Sequence, residues 1–328
     1  MARTLTYIGA ITEALGQELE RDDRVFLLGE DIGPSGGVFG ATAGLWEKFG
    51  EERVLDTPLA EGAIISAAIG SSMVGLRPVP EIQFADFITP AVDQIIQQAA
   101  KLRYRSAGGF NCPITVRVCC GASGGGGLYH SQENTAWFMH EPGLKVVMPA
   151  TAYDAKGLLL AAIRDPDPVL YFEHKRLYRN VKDEVPEGDY TVPIGKAAVR
   201  REGRDLTILT YGAMVPVSMQ AAGDMSKKGV EAEVVDLRTL APLDKDTVLS
   251  SVRKTSKCMI VHEDKRTMGV GGELSAILSE EAFEDLDGPI LRITGPDAPA
   301  VAFTPPLQKA WIVGVDQVVA GIERLAAY

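Results

Sequence analysis

Cysteine is scarce in this 328-residue chain: Cys112, Cys119, Cys120 and Cys258 are all there are, and none forms a C-x-x-C pair. That excludes a disulfide scaffold and leaves reduced, buried thiols as the expectation, with Cys119 and Cys120 on opposite faces of a strand. Histidine is as rare. His130, His140, His174 and His262 lack H-E-x-x-H spacing, so a zinc centre has no ligand set. Positive charge is in deficit, 33 Lys and Arg against 44 Asp and Glu, for a net charge of −11 and a pI near 5.0. That balance argues against nucleic-acid binding, because phosphates need a basic surface. No apolar run approaches the roughly 20 residues of a membrane span, and Glu13 and Glu18 interrupt the N-terminal region before any secretory signal. The expectation is a cytoplasmic protein, or one of the mitochondrial matrix if a transit peptide has been removed.

Nucleotide signatures are missing too. Gly121-Ala-Ser-Gly124-Gly-Gly-Gly127-Leu-Tyr-His130 follows a strand signal but contains no G-K-[ST], and neither it nor Gly269-Val-Gly271-Gly272 has the G-x-G-x-x-G spacing of a dinucleotide turn. A free-standing NAD dehydrogenase is thereby disfavoured. The first run reads instead as a loop whose glycines admit a bulky substrate close to the backbone and set His130 at its rim. The second reads as a helix-leading turn.

Apolar residues are plentiful, 46% of the total, enough for two substantial cores at this length. Strand and helix signals alternate. A helix near Thr6 to Glu20 precedes strands at Val25 to Gly29, Arg53 to Asp56 and Val79 to Phe84, and a long helix follows over Pro90 to Arg105. Strands at Ile114 to Cys119, Val146 to Met148 and Val169 to Phe172 come next, with a helix at Tyr153 to Arg164. This alternation predicts a mostly parallel sheet covered on both faces. The polar stretch Lys182 to Tyr190, bearing Pro186 and Gly188, breaks the pattern and reads as a linker. Beyond it, strands at Leu206 to Thr210, Ala232 to Asp236, Met259 to His262 and Ile290 to Ile293 alternate with helices. The expected fold class is α/β, with two parallel-sheet domains at residues 1–183 and 193–328 joined by a linker at 184–192.

Among the carboxylates, Glu61 has unusual company. In Asp56-Thr-Pro-Leu-Ala-Glu61-Gly62 it lies where a strand gives way to a small-residue helix, and no Lys or Arg occurs between Glu61 and Arg77. A carboxylate that loses water without gaining a cation has its acidity weakened, which suits an acid/base. Against that stands the helix dipole, which favours an ordinary acid in a first turn. Histidine ordinarily titrates near neutrality, so His130, in Tyr129-His-Ser-Gln132, reads either as a proton carrier or as a surface residue. Asp165-Pro-Asp167-Pro168 is a helix-ending turn whose oxygens could also hold a hard cation. The basic clusters Lys101-Leu-Arg-Tyr-Arg105 and Lys175-Arg-Leu-Tyr-Arg179 read as solvated or subunit-facing surface.

A set of ordered motifs adds a resemblance. Leu28-Gly-Glu-Asp-Ile-Gly33, Gly37-Val-Phe39, Asp56-Thr-Pro-Leu-Ala-Glu61, Glu81-Ile-Gln-Phe-Ala-Asp-Phe87, Lys101-Leu-Arg-Tyr-Arg-Ser106, His130-Ser-Gln132, Pro142-Gly-Leu-Lys-Val-Val147, Asp154-Ala-Lys-Gly157 and Asp236-Leu-Arg-Thr239 carry it. Over essentially the whole chain they resemble the β subunit of the thiamine-diphosphate-dependent dehydrogenase component of 2-oxo acid dehydrogenase complexes. Leu128-Tyr-His-Ser-Gln132, Phe172-Glu-His-Lys-Arg-Leu-Tyr-Arg179 and Pro193-Ile-Gly-Lys196 look most like the branched-chain type, ahead of the pyruvate and acetoin types.

The resemblance implies a thiamine pyrimidine-binding domain followed by a transketolase C-terminal-type domain. It implies that Glu61 hydrogen-bonds a ring nitrogen of the aminopyrimidine and promotes the tautomer that deprotonates the thiazolium carbon. Leu59, Gln83 and Phe87 would surround the aminopyrimidine, and His130 would relay a proton during decarboxylation or acyl transfer. Ile114, Ala162, Ile163, Asp165 and Asp167 match a structural potassium site, with Asp167 standing where relatives have Asn. The chain has no G-D-G…N stretch for holding diphosphate through magnesium. An α subunit would therefore hold Mg2+ and share the cofactor in an α2β2 heterotetramer. A lipoyl acyltransferase core and a 2-oxo acid are the other implied partners.

This chain departs from the pattern at several places. Phe87 stands where some branched-chain members have Tyr, Cys119 where relatives have Pro, and Gly125 where they have His. Glu133-Asn-Thr135 replaces a small residue followed two positions later by Glu. The alternatives left open are a pyruvate or acetoin dehydrogenase β subunit and a non-catalytic assembly subunit of the same fold.

Overall fold

The computed structural model describes residues 2–328, which divide into two compact units. One comprises the chain up to Gly121 together with Trp137–Ile194, the other Ala122–Ala136 together with Gly195–Tyr328.

The first unit is built on parallel strands in the order Lys145–Val147, Val169–His174, Thr115–Cys120, Arg77–Ile82, Val25–Gly29 and Val54–Asp56. Every residue of Thr115–Cys120 and Val169–His174 is buried, as expected of central parallel strands covered on both faces. The helices Tyr7–Arg21 and Ala152–Arg164 pack against each other. Each starts at a threonine hydroxyl that accepts from a first-turn N–H: Thr6 from Gly9 and Thr151 from Asp154, both at 3.1 Å. All four cysteines are buried thiols outside any disulfide.

The centre of this sheet holds charge. The strand register sets Glu81 opposite Arg117 and Arg117 opposite Tyr171, so Glu173, two residues on, shares the same face. Arg117 donates to both oxygens of Glu173, at 2.6 and 2.9 Å, and to Glu81. The Tyr178 hydroxyl donates to Glu173 at 2.7 Å and touches Cys119 Sγ at 2.9 Å. Burial opposes the charge on Arg117, yet Glu173 and Glu81 hold it charged more firmly than water would. Burial also raises the pKa of Glu81, with Arg117 opposing the rise.

The second unit has a sheet in the order Leu291–Gly295, Cys258–Lys265, Leu206–Thr210, Ala232–Asp236 and Ala198–Arg201. The first four strands run parallel and the last is antiparallel. Helices Met214–Ser226, Lys245–Thr255, Val270–Glu281 and Val315–Ala326 accompany it. Gly269 leads into Val270–Glu281 as a plain helix start.

Three expectations need correction. The stretch expected as a linker forms a strand, Lys182–Pro186, antiparallel to Ala2–Thr6, and Tyr190 stacks on Tyr153 with ring centroids 4.6 Å apart. Its polar residues line a two-stranded edge while Val185 is fully buried, so polarity marked an exposed strand instead of a hinge. The segment Ala122–Ala136 belongs with the second unit, so the boundary at 183 does not divide the chain cleanly. The helix expected over Pro90 to Arg105 is helical but not one α-helix: it is 3-10 over Ala85–Ala91, π over Gln94–Ala99 and α over Leu102–Arg105, with right-handed helical backbone between them. Pro90 cannot donate a backbone hydrogen bond, and its carbonyl would lie 3.0 Å from a Cβ on Gly62. Among the described residues no helix is long and apolar enough to cross a membrane.

Removing the cation from the central cluster leaves two buried carboxylates facing each other. Arg117→Met is expected to cost about 3–5 kcal/mol, read as a lower midpoint in urea unfolding of the full chain. A loss below about 1 kcal/mol would show that the cluster is not a stabilising element.

Candidate active site

The carboxyl ends of Val25–Gly29, Val54–Asp56 and Arg77–Ile82 bring together residues far apart in sequence. Crevices at strand carboxyl ends are where open α/β sheets bind ligands. Asp56 ends its strand and accepts from the Gly33 N–H at 2.7 Å, which folds the glycine-rich loop back onto the sheet. A Cβ on Gly33 would stand 2.8 Å from the Asp56 carboxylate. Thr57 N–H donates to the Gly29 carbonyl at 2.9 Å, so the chain crosses from strand to helix in one turn. Glu61 is the first residue of the helix Glu61–Met73 and is half-buried.

Gln83, just past its strand, donates through Nε2 to the Glu30 carbonyl at 2.9 Å and to Asp31 Oδ2 at 3.1 Å. Glu30 is the residue that sequence reasoning missed. It is buried, and burial raises its pKa, reinforced by the Glu61 charge and opposed by a hydrogen bond from the Ala60 N–H. Among the described residues, Glu30 Oε1 and Thr57 Oγ1 are buried without a hydrogen-bond partner. Its signal was present in Leu28-Gly-Glu-Asp, but only the fold shows that Glu61 is its neighbour.

Apolar surface lies beside these acids. Leu59 is 81% exposed, and Phe87 meets Phe84 edge-on with centroids 6.0 Å apart. The Lys175 ammonium lies 5.1 Å from the Phe84 ring centre, so that member of the second basic cluster covers an aromatic ring and is buried instead of solvated. The structure thus brings Leu59, Glu61 and Gln83 to one end of one sheet, with Phe87 on the turn just beyond Gln83. The half-buried Glu61 carboxylate and the buried, unpartnered Glu30 Oε1 are acceptors, and with exposed Leu59 beside them they fit the amino and ring N–H groups of an aminopyrimidine.

His130 lies in the second unit, where it closes the short turn Gly127–Tyr129. The glycines before it are needed for close approach: Gly127 has φ +65°, and a Cβ there would enter the Phe303 ring at 2.2 Å. Gly125, with φ +75°, also takes the left-handed backbone that glycine adopts without strain. Gly121 closes on His174, whose ring a Cβ would meet at 2.0 Å.

The oxygens expected to hold potassium share one corner of the first unit. The Ile163 and Asp165 carbonyls accept from Arg77, at 2.8 and 3.2 Å, and the Ala162 carbonyl accepts from the Asp165 N–H at 3.1 Å. The Ile114 carbonyl accepts from the Val169 N–H at 3.0 Å. Lys145 binds both oxygens of Asp165, at 2.6 and 2.7 Å, while Arg103 and Lys145 pair with Asp167. The donors are all oxygens, as a hard cation requires, and the Arg77 guanidinium competes for two of them.

Comparisons with known proteins identify the two domains and the family. The family "Transketolase, pyrimidine binding domain" matches residues 3–181, and "Transketolase, C-terminal domain" matches residues 195–318. A 2-oxoisovalerate dehydrogenase subunit beta of Bacillus subtilis (strain 168) is 55% identical, covering 99% of each chain. A pyruvate dehydrogenase E1 component subunit beta of the same organism is 48% identical over 89% of this chain and 90% of that one. The fold is similar to that of a solved split-gene transketolase, described as an inactive beta4 tetramer, with a TM-score of 0.80, 23% identity and 98% of each chain covered. The chain belongs to the β subunits of 2-oxo acid dehydrogenases, built from transketolase pyrimidine-binding and C-terminal domains.

Because Glu30 keeps its proton to higher pH when folded than when unfolded, its contribution to stability is complete below the ordinary glutamate pKa and is lost as pH rises through the raised value. Glu30→Gln is expected to remove that loss. The stability difference, variant minus parent, should be more favourable at about pH 8 than at about pH 5 in paired denaturant titrations, and an unchanged difference would refute the assignment.

Proposed function

We propose that this chain is the β half of a thiamine-diphosphate-dependent enzyme that decarboxylates branched-chain 2-oxo acids oxidatively and, with an α subunit, delivers the acyl group to a lipoyl arm. The observation that carries the reading is the Glu61–Glu30 pair at the strand ends, in a chain so similar to a 2-oxoisovalerate dehydrogenase subunit beta. In the overall reaction the bond between carboxylate and keto carbon breaks and carbon dioxide leaves. The acyl carbon then bonds to one lipoyl sulfur while the lipoyl disulfide is reduced.

When bound, thiamine diphosphate supplies a thiazolium carbon that becomes a nucleophile once deprotonated. Glu61 would hold a proton at a ring nitrogen of the aminopyrimidine, and Glu30 behind it, its pKa raised by burial and by the Glu61 charge, gives up its own proton less readily than in water. Leu59 and Phe87 would bed the ring and keep water from its face. Gln83 would fix the Glu30–Asp31 turn through its two donated hydrogen bonds. His130 would carry a proton during decarboxylation or acyl transfer. Diphosphate and magnesium would be held by the α subunit, in an α2β2 assembly with a lipoyl acyltransferase core as a further partner, in the cytoplasm or a mitochondrial matrix.

The test is turnover of 2-oxoisovalerate with an artificial electron acceptor, thiamine diphosphate and magnesium. Activity should require both subunits and fall by at least about 100-fold in Glu61→Gln, the lower end expected for loss of a general acid–base. Full activity in that variant would defeat the mechanism. A second reading, the pyruvate type, has the 48% identical relative in its favour. A preference for pyruvate over 2-oxoisovalerate in the same assay would select it.

Potassium would be held by the carbonyls of Ile114, Ala162 and Ile163 with Asp165 and Asp167, displacing Arg77 from the oxygens it now bonds. Replacing sodium by potassium at equal ionic strength should raise the thermal midpoint. The gain would approach about 2.7 kcal/mol when the ion is present at a hundred times its dissociation constant. An unchanged midpoint would remove potassium from the reading.

A further inference from the structure

A buried acidic cluster under the glycine-rich segment takes no part in the chemistry above. Glu133 is 2% exposed and receives hydrogen bonds from two hydroxyls, Tyr211 at 2.7 Å and Thr135 at 3.2 Å. Two further carboxylates hold the ends of the same segment. Glu263 accepts from the Ala122 N–H at 2.6 Å, and Asp264 accepts from the Ala136 N–H. Lys265 donates to Gln132 at 3.1 Å. Segment 122–136 is thus pinned to the strand Cys258–Lys265 at its two ends, and to Tyr211, beyond the strand Leu206–Thr210, through Glu133.

We infer that Glu133 is a positioning residue that latches the His130-bearing segment onto the second unit, and that it does so as an uncharged carboxylic acid. Three carboxylates within one buried site cannot all ionise without strong repulsion, and the donors to Glu133 are neutral hydroxyls instead of a cation. Burial raises its pKa, and the charges of Asp264 and Glu263 raise it further, against the Tyr211 and Thr135 hydrogen bonds. Burial lifts Asp264 to about 6.

The other groups facing the cluster do not replace the missing cation. His262 stacks on Tyr211 and is pushed down to about 4 by burial, with Arg292 and Arg266 adding to the shift. It is therefore neutral where Glu133 titrates. Lys265 acts on Asp264 and is engaged by Gln132. Tyr129 and His130 are the remaining titratable groups of the segment itself.

The raised pKa fixes the sign. Docking is complete below the ordinary glutamate pKa and weakens as pH rises towards the raised value, by up to roughly tenfold per pH unit for one linked proton. The role of His130 rests on the proposed function, but the latch does not. Its test is hydrogen exchange of peptides spanning 122–136 in the full-length chain, from about pH 5 to about pH 9, corrected for intrinsic rates.

Protection in the parent should fall with pH, and in Glu133→Gln, neutral at every pH, the fall should shrink to what Asp264 contributes near pH 6. Tyr211→Phe removes a donor that favours the carboxylate, so its transition should move to higher pH. Protection that does not vary with pH in the parent overturns the inference, as does an unaltered pH dependence in Glu133→Gln. If the glutamine variant fails to fold, an unmoved transition in Tyr211→Phe is equally decisive. None of these readings depends on turnover, so failure of the latch is separable from failure of the functional proposal.

Discussion

The Arg117 guanidinium is the constraint around which the first unit is arranged. It binds carboxylates from the strands on both sides of its own, Arg77–Ile82 and Val169–His174. A one-residue slip of either neighbour would turn a carboxylate to the opposite face and leave a buried charge unpaired. Apolar residues alone would tolerate such a slip more readily, since both faces of these strands are covered. The ionic cluster therefore selects the register, and the register places the residues at each strand's carboxyl end. Gln83 comes two residues after Glu81, and its amide reaches the Glu30 carbonyl only in that alignment.

Cation placement also explains why acids accumulate unneutralised at the strand ends. Arg117 is consumed in the sheet centre, Arg77, Lys145 and Arg103 gather at the Asp165–Asp167 corner, and Lys175 covers Phe84. Glu30 therefore feels burial and the Glu61 charge with little to offset them beyond one backbone N–H. The same economy of cations recurs in the second unit, where Glu133 faces Asp264 and Glu263. In both places carboxylates deprived of counter-ions become proton holders.

Much of this was legible in the residues. Val25–Gly29, Leu206–Thr210 and Ala232–Asp236 form strands with the bounds their apolar runs predict. Glu61 opens its helix as the small-residue stretch suggested. What stayed hidden depended on distance in space. Glu30 looks like any acid after a strand until the fold sets Glu61 beside it, and Glu133 looks like a polar loop residue until Tyr211 bonds it from 78 positions away. The Pro90 region read as a helix because its apolar spacing is helical. The structure keeps it helical, but in 3-10 form over Ala85–Ala91 and π form over Gln94–Ala99, which spacing alone does not reveal. Lys182–Pro186 read as a linker because an exposed edge strand and a hinge share the same polarity.

Of the departures that the resemblance marks, Cys119, Gly125 and Glu133-Asn-Thr135 lie in the loop or the strand before it, Phe87 and Asp167 lie elsewhere, and none falls on the acid pair. Cys119 lies in a central strand, where a proline could not donate to the ladder, and its Sγ meets the Tyr178 hydroxyl that bonds Glu173. It thereby joins the chain's loop-bearing strand to the Arg117 cluster. Glu133 and Thr135 interact with each other and with Tyr211, so the exchange of residue types at these two positions yields one linked motif instead of two separate losses. Gly125 supplies a left-handed backbone that glycine adopts without strain. A chain that had lost its function would be expected to lose such pairings independently. Here Cys119, Gly125, Glu133 and Thr135 each have a bonded or conformational role, so the loop and the strand before it are held as one linked arrangement.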